Sequence, residues 1–145
     1  MSTHIVFENP VIGRKYDVII NDSPRVHIGK FVKNMTDGRG NVYGHLFDLD
    51  GRDFYLRNYY VWKTATVVPA EQIVSPFRFL KYRDFQVGKN YTTYSLKERK
   101  LVELGTLTKK DHGYPDWEWL WFSNGDDIRV DNPCYDELHV WRKND

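Results

Sequence analysis

The sequence predicts an all-β fold made of two related small barrels, and three observations carry this prediction. Two stretches, residues 46–58 and 120–132, align without a gap 74 positions apart, and each has the pattern strand, tight turn, strand. Their turns contain Asp50-Gly51 and Asn124-Gly125, and such pairs between apolar runs are the strongest short-range signal for a hairpin. Short runs of β-branched and aromatic residues recur between turn signals, whereas long helical periodicity is absent.

The internal match extends beyond the hairpins. Further matched segments begin with Gly13/Gly88, Gly29/Gly105 and Val61/Val140, at offsets between 75 and 79. Such variation places insertions between the anchors, where loops belong. We therefore predict a tandem duplication with a first barrel over residues 1–68, a linker over 69–76 and a second barrel over 77–145. The two copies are either two similar small domains or two halves of one pseudo-symmetric fold.

Each copy contains five predicted strands separated by turn-forming residues. In the first copy they span 15–20, 27–34, 42–48, 53–56 and 64–68. In the second copy they span 90–95, 102–109, 117–122, 127–130 and 138–142. The turn clusters Asn21-Asp22-Ser23-Pro24 and Thr36-Asp37-Gly38-Arg39-Gly40-Asn41 separate strands of the first copy. The best helical candidates are short, at 69–74 and 133–137.

This pattern resembles SH3-like and Tudor-like barrels. The resemblance rests on Gly-x-x-Tyr at the entry to the first strand, on a second strand that begins with Gly, and on an apolar strand that meets a D-G or N-G turn. It covers most of each copy and implies a five-stranded antiparallel barrel. Barrels of this kind generally bind peptides or nucleic acids, so the resemblance implies a binding module rather than one particular partner.

Composition limits the classes of function. The chain has 41% hydrophobic residues, enough for a core, and an unusual 16% of aromatic residues. No apolar run approaches the roughly 20 residues that a membrane span requires, so no membrane role is expected. The net charge of +1 argues against a generally basic nucleic-acid protein. The single cysteine, Cys134, cannot form an internal disulfide, which favours an intracellular location.

The most unusual stretch is Trp117-Glu118-Trp119-Leu120-Trp121-Phe122. Strand alternation places Trp117, Trp119 and Trp121 on one face and Leu120 with Phe122 on the other. The gapless alignment assigns Tyr43, His45 and Phe47 to the equivalent outward row of the first copy, with Leu46 in the core. Since large apolar patches are rarely left exposed, either the chain itself covers these rings or a partner does.

An aromatic cage for a methylated cation is a second interpretation of these rings. In the second copy its members would come from Tyr91, Tyr94, Trp117 and Trp119, with Glu118 as the acid. In the first copy the candidates are Tyr16, Tyr43, Phe47, Tyr55 and Tyr59. Tyrosine is common in ordinary strands, so these residues also suit a plain barrel surface.

Metal, cofactor and catalytic sites are not predicted. The sequence from Asp48 resembles the start of a calcium loop, but Tyr59 stands where that loop needs a bidentate acid. No histidine pair has metal-ligand spacing, and Cys134 with His139 supplies too few zinc ligands. No nucleotide-binding or nucleophile motif is present. The expected function is therefore non-enzymatic: binding of a protein or peptide, or self-association, through the outward aromatic strand.

Nucleic-acid binding is the alternative. Between residues 76 and 110 there are nine Lys or Arg against three Asp or Glu. Arg78, Lys81, Arg83 and Lys89 interleave with rings, a combination that can follow phosphates while bases stack. The competing interpretation is a strand whose Phe79 or Leu80 packs inward while the basic side chains stay in water.

Overall fold

A computed structural model describes residues 4–113, 117–131 and 135–144. The described residues form an all-β protein, as predicted, with two sheets and no α-helix. Tyr82–Asp84 forms a 3₁₀ helix. The chain divides into two compact units, Met1–Pro76 and Phe77–Asp145.

The first unit holds a six-stranded sheet in the order β1-β6-β2-β3-β4-β5. Its strands are β1 (His4–Val6), β2 (Lys15–Ile20), β3 (Val26–Thr36), β4 (Val42–Leu49), β5 (Arg52–Arg57) and β6 (Thr64–Pro69). β1 pairs with β6 in parallel, whereas the other pairs are antiparallel. The expected five-stranded antiparallel arrangement is therefore corrected here, because the segment before β2 adds a sixth strand.

The second unit holds a five-stranded antiparallel sheet in the order β10-β9-β8-β7-β11. Its strands are β7 (Asn90–Ser95), β8 (Lys100–Gly113), β9 (Trp117–Phe122), β10 (Asp127–Asp131) and β11 (His139–Asn144). Among the described residues, neither sheet closes into a full barrel. Residues 69–74 form no helix: Pro69 is the last residue of β6, and residues 70–74 are irregular. The other helical candidate, 133–137, lies partly outside the described residues, and its described part is not helical.

Each unit has its own apolar core. In the first unit Tyr16, Phe31, Phe47 and Leu56 are almost fully buried, and the ring of Phe7 lies against Tyr16, Phe31 and Phe47. The core of the second unit is a cluster of buried side chains: Phe85, Tyr91, Leu104, Leu107, Leu120, Phe122, Val130 and Trp141. Both cores lie on the inner face of strands whose alternate residues point outward.

The same local geometry recurs at the entry to β2 and to β7. The hydroxyl of Tyr16 accepts a hydrogen bond from the Val11 N–H at 2.9 Å. The hydroxyl of Tyr91 accepts one from the Gln86 N–H at 2.8 Å. In both strands the register of pairing shifts immediately after this tyrosine. Each tyrosine thus places its ring in the core and uses its hydroxyl to hold the preceding loop.

Candidate functional site

Strand β9 separates a buried row of side chains from a partly exposed row. Leu120 is 0% exposed and Phe122 4% exposed, and both belong to the core. Trp119 and Trp121 point to the opposite side and keep part of their surface in solvent. The alternation expected for these four residues is therefore observed. The side chain of Trp117 lies outside what the structure describes.

The two neighbouring strands frame the tryptophans with charges. In one row across the sheet Trp121 lies between Lys109 of β8 and Asp127 of β10. In the next row Trp119 lies between Asp111 of β8 and Arg129 of β10. We call the set of six side chains the tryptophan face: Lys109, Asp111, Trp119, Trp121, Asp127 and Arg129.

Contacts within the tryptophan face are close but solvated. The ring centroids of Trp119 and Trp121 are 6.2 Å apart with planes tilted by 37°. Lys109 Nζ lies 5.0 Å from the Trp121 ring centroid and 4.0 Å from a carboxylate oxygen of Asp111. The side chains of Lys109 and Asp111 are 64% and 51% exposed, so this ion pair contributes little to stability.

Behind the tryptophan face, the inner side of the same strands carries a buried acid. Glu118 is 5% exposed, and its Oε2 atom has no hydrogen-bond partner among the described residues. Burial raises the pKa of Glu118, while His112 and Lys110 act in the opposite direction. Lys110 lies 4.2 Å over the ring of Tyr82 and donates a hydrogen bond from Nζ to the Phe85 carbonyl at 2.8 Å. The pKa of Lys110 is lowered, chiefly by its burial.

The outward position expected for Phe47 is corrected by the strand register. Phe47 is 0% exposed and lies opposite Phe31, as Phe122 lies opposite Leu107 in the second unit. Phe47 therefore corresponds to the core residue Phe122, not to the outward Trp121. A shift of one residue moves a side chain to the other face of a sheet. The gapless alignment therefore does not identify a row of rings in the first unit that is equivalent to the tryptophan face.

Two tyrosines of the second copy are also placed in the interior. Tyr91 is 0% exposed and Tyr94 is 8% exposed, so neither offers a ring to a partner. Tyr91 contacts Phe85 and Phe122 in the core. They therefore do not join Trp119 in a cage, because both rings are buried.

Tyr43 takes part in a different surface, in the first unit. It is 50% exposed and lines an open groove of about 360 Å³. The groove is bounded by one set of side chains and backbone: Ile5, Phe7, Val42, Tyr43, Gly44, His45 and Asn58. His45 Nδ1 lies 2.8 Å from the Asn34 side-chain oxygen, and burial lowers the pKa of this histidine. The groove thus presents uncharged side chains at neutral pH.

The basic segment does not form one continuous surface. Arg78 is bound through its backbone N–H and C=O to Trp141, both at 2.8 Å. Lys81 Nζ lies 4.8 Å over the Tyr135 ring. Phe79 is 1% exposed, in agreement with the interpretation in which this segment packs inward. Arg83 and Lys89 are exposed, but they belong to different elements, the 3₁₀ helix and the loop before β7.

The remaining candidate features are metal-ligand groups, the Cys134–His139 pair and membrane-spanning helices. No group of three or more His, Cys, Asp or Glu side chains there could hold a metal ion. Cys134 lies outside the described residues, and His139 Nδ1 instead contacts Asp136 at 2.7 Å. Among the described residues, no helix has the length and apolar character needed to cross a membrane.

Comparison with protein-family models, with curated proteins and with solved structures finds no match to this chain.

The sequence prediction identified two tryptophans of the face but missed its four charged residues. Their sequence neighbourhoods are ordinary, because charges on strands usually belong to a solvated surface. The signal that finds them is the pairing of β8, β9 and β10, which brings each charge beside a ring.

Proposed function

We propose that the chain is a non-enzymatic protein-binding module and that the tryptophan face is its contact surface. The observation that carries this proposal is the pair of adjacent, partly exposed tryptophans on the outer side of a packed sheet. Tryptophan is enriched among the residues that dominate binding energy at protein interfaces. Neighbouring exposed rings are uncommon on a surface that contacts only water.

The core does not account for the position of these rings. The inner face of β9 already contributes Leu120 and Phe122 to the core of the second unit. Trp119 and Trp121 lie on the opposite side of the strand and do not belong to this core cluster. Their presence there is consistent with a surface kept for binding.

The proposal is tested by capture with wild-type protein and with the double variant Trp119→Ala/Trp121→Ala. Any protein held by the wild type is then purified and titrated against both forms. Loss of a central tryptophan contact should weaken binding at least 30-fold, since hot-spot residues contribute about 2 kcal/mol or more. The matched control is Tyr55→Ala, an exposed ring on β5 of the first unit. A partner that binds wild type and double variant equally would contradict the proposal.

We also propose that the two units are copies of one SH3-like barrel that diverged after duplication. Omitting β1, the order β6-β2-β3-β4-β5 corresponds strand for strand to β11-β7-β8-β9-β10. The tyrosine-to-loop hydrogen bonds and the register shifts that follow them support the same correspondence. If each copy is a domain, residues 1–76 and 77–145 expressed separately should each unfold cooperatively. If neither fragment shows a cooperative transition, the two copies are not independent domains.

Nucleic-acid binding is the second candidate, favoured by the exposed basic side chains Lys97, Arg99 and Lys100 at the β7–β8 turn. Lys89 lies at the other end of β7, and six strand residues separate the ends by roughly 20 Å. The basic charge is thus divided rather than collected in one groove. Titration of labelled single- and double-stranded oligonucleotides at about 50 and about 200 mM salt tests this candidate, because phosphate contacts lose orders of magnitude in affinity over that range.

A further inference from the structure

The charges of the tryptophan face alternate in sign along both directions of the sheet. Lys109 and Asp127 flank Trp121, so that row carries a cation on β8 and an anion on β10. The next row reverses the order, with Asp111 on β8 and Arg129 on β10 on either side of Trp119. Each charge is therefore next to one of opposite sign on its own strand and across the row.

Such a pattern is complementary to itself. If a second copy of the face lies on the first with a two-fold axis along β9, Lys109 meets Asp127 of the second copy and each tryptophan meets its own equivalent. If the axis runs across the strands, Lys109 meets Asp111 of the second copy and Trp119 meets Trp121. In both arrangements every charge faces the opposite sign, which is the requirement for an isologous interface.

We propose that the partner of the tryptophan face is a second copy of this chain, bound face to face in a symmetric dimer. This inference rests on the proposed protein-binding function and names its partner. The paired rings supply the apolar contact, and the alternating charges select the partner and the register. A face of a single sign would favour an oppositely charged partner and would repel a second copy of itself.

The size of the face predicts that this dimer is weak. The three strands span about 10 Å between the outer strand axes, and the two rows are about 7 Å apart along the strands. With its side chains the face covers a few hundred Å², on the order of half or less of the roughly 800 Å² per partner in a standard stable interface. Dimers should therefore form in the range of about 10 μM to 1 mM rather than at nanomolar concentration.

The test is sedimentation velocity on the full chain across that concentration range at low salt. Wild type should pass from monomer to dimer, and Trp119→Ala/Trp121→Ala should remain monomeric with an unchanged far-UV circular dichroism spectrum. The single charge reversals Lys109→Glu and Asp127→Lys should each weaken self-association by about tenfold, because each places like charges opposite one another twice in a symmetric dimer.

Mixing the single variants decides whether the charges meet. With the axis along β9, Lys109→Glu and Asp127→Lys proteins should form a mixed dimer although neither associates well alone. With the axis across the strands, Lys109→Glu should instead pair with Asp111→Lys. Arg129→Glu mixed with Asp111→Lys repeats the first test on the other row if Lys109→Glu fails to fold. Recovery in any of these mixtures supports the face-to-face dimer.

Three results would overturn the dimer: a wild type that stays monomeric at 1 mM, a dimer that survives the tryptophan substitutions, or charge variants that no mixture rescues. Its failure is distinguishable from failure of the proposed function. If wild type is monomeric but the tryptophan variant loses a different, purified protein partner, the binding function stands and only its partner changes. If no binding of any kind depends on Trp119 or Trp121, both proposals fail.

Discussion

Glu118 lies directly opposite His112 in the β8–β9 pair, yet its buried Oε2 atom has no hydrogen-bond partner among the described residues. His112 is exposed, and Lys110 uses its Nζ to bind the Phe85 carbonyl. The Oε2 atom therefore lies within the electrostatic influence of His112 and Lys110 without a hydrogen bond to either of them. Burial dominates and raises the pKa of Glu118 above its ordinary value.

Replacement of this acid should change the pH dependence of stability. A raised pKa means that the folded state holds its proton more tightly than the unfolded state. The stabilising contribution of the neutral acid is therefore complete below the ordinary pKa of 4.5 and is lost as pH rises through the raised value. Glu118→Gln cannot ionise, so it should remove this loss and be more stable than wild type at pH 7.

Urea unfolding between pH 4 and 8 measures this effect. The matched control is Glu103→Gln, which removes a carboxylate from the exposed side of β8. It should leave the shape of the stability profile unchanged. A Glu118→Gln protein that is less stable at pH 7 and keeps the wild-type profile would show that the carboxylate is held by a favourable interaction.

A second prediction concerns the close approach of β3 and β4 at Gly29. Its φ angle is +93°, and a Cβ atom there would overlap the carbonyl oxygen of Asp48 and lie 2.9 Å from the Leu49 Cα. Gly29→Ala should cost on the order of 3 kcal/mol, the sum of backbone strain and a displaced strand. Gly13→Ala is the control, because its φ is +88° but no atom lies within 4 Å of the added methyl.

Chemical denaturation of the two glycine variants separates strain from overlap. Gly13→Ala should cost about 1 kcal/mol, from the left-handed backbone alone. Equal losses for Gly13→Ala and Gly29→Ala would mean that β4 can move away from Gly29 without penalty.

Local sequence signals were sufficient for many strand boundaries. The structure places β2, β7 and β9 at the residues predicted, 15–20, 90–95 and 117–122. Turn chemistry also located the β4–β5 hairpin, since Asp50 and Gly51 both adopt positive φ angles in its turn. Such preferences are properties of a few consecutive residues.

The same local turn signals did not predict the register of the strands. Alignment on Gly51 and Gly125 assumes hairpins of equal length, but two residues separate β4 from β5 and four separate β9 from β10. Strands β4 and β9 therefore correspond with a shift of one residue relative to the alignment, and Phe47 lies in the core. The parallel pairing of β1 with β6 was missed for a related reason: three residues define no partner until the sheet is assembled.

A third prediction compares the two faces of β9. Leu120 is fully buried, so Leu120→Ala should lower the free energy of unfolding by about 3 kcal/mol. Trp121→Ala removes a larger side chain but one that is partly exposed on the outer face, and it should cost about 1 kcal/mol or less. Thermal unfolding monitored by circular dichroism at low protein concentration measures both. A larger loss for Trp121→Ala than for Leu120→Ala would assign the tryptophan to a structural core and would remove the basis for the proposed binding face.

The last prediction concerns Asn21, a buried residue that connects the end of β2 to the start of β6. Its side-chain amide donates to the Val61 carbonyl at 2.9 Å, and its oxygen accepts from the N–H groups of Lys63 and Thr64 at 2.7 and 3.2 Å. Asn21→Ala leaves these groups without the side chain and should cost about 2–3 kcal/mol. Since Asn21 has a φ angle of +49°, Asn21→Gly is the control that relieves backbone strain but not the lost bonds. Hydrogen exchange should accelerate at the Lys63 and Thr64 amides in both variants, and unchanged exchange there would show that the backbone angle alone determines the contribution of Asn21.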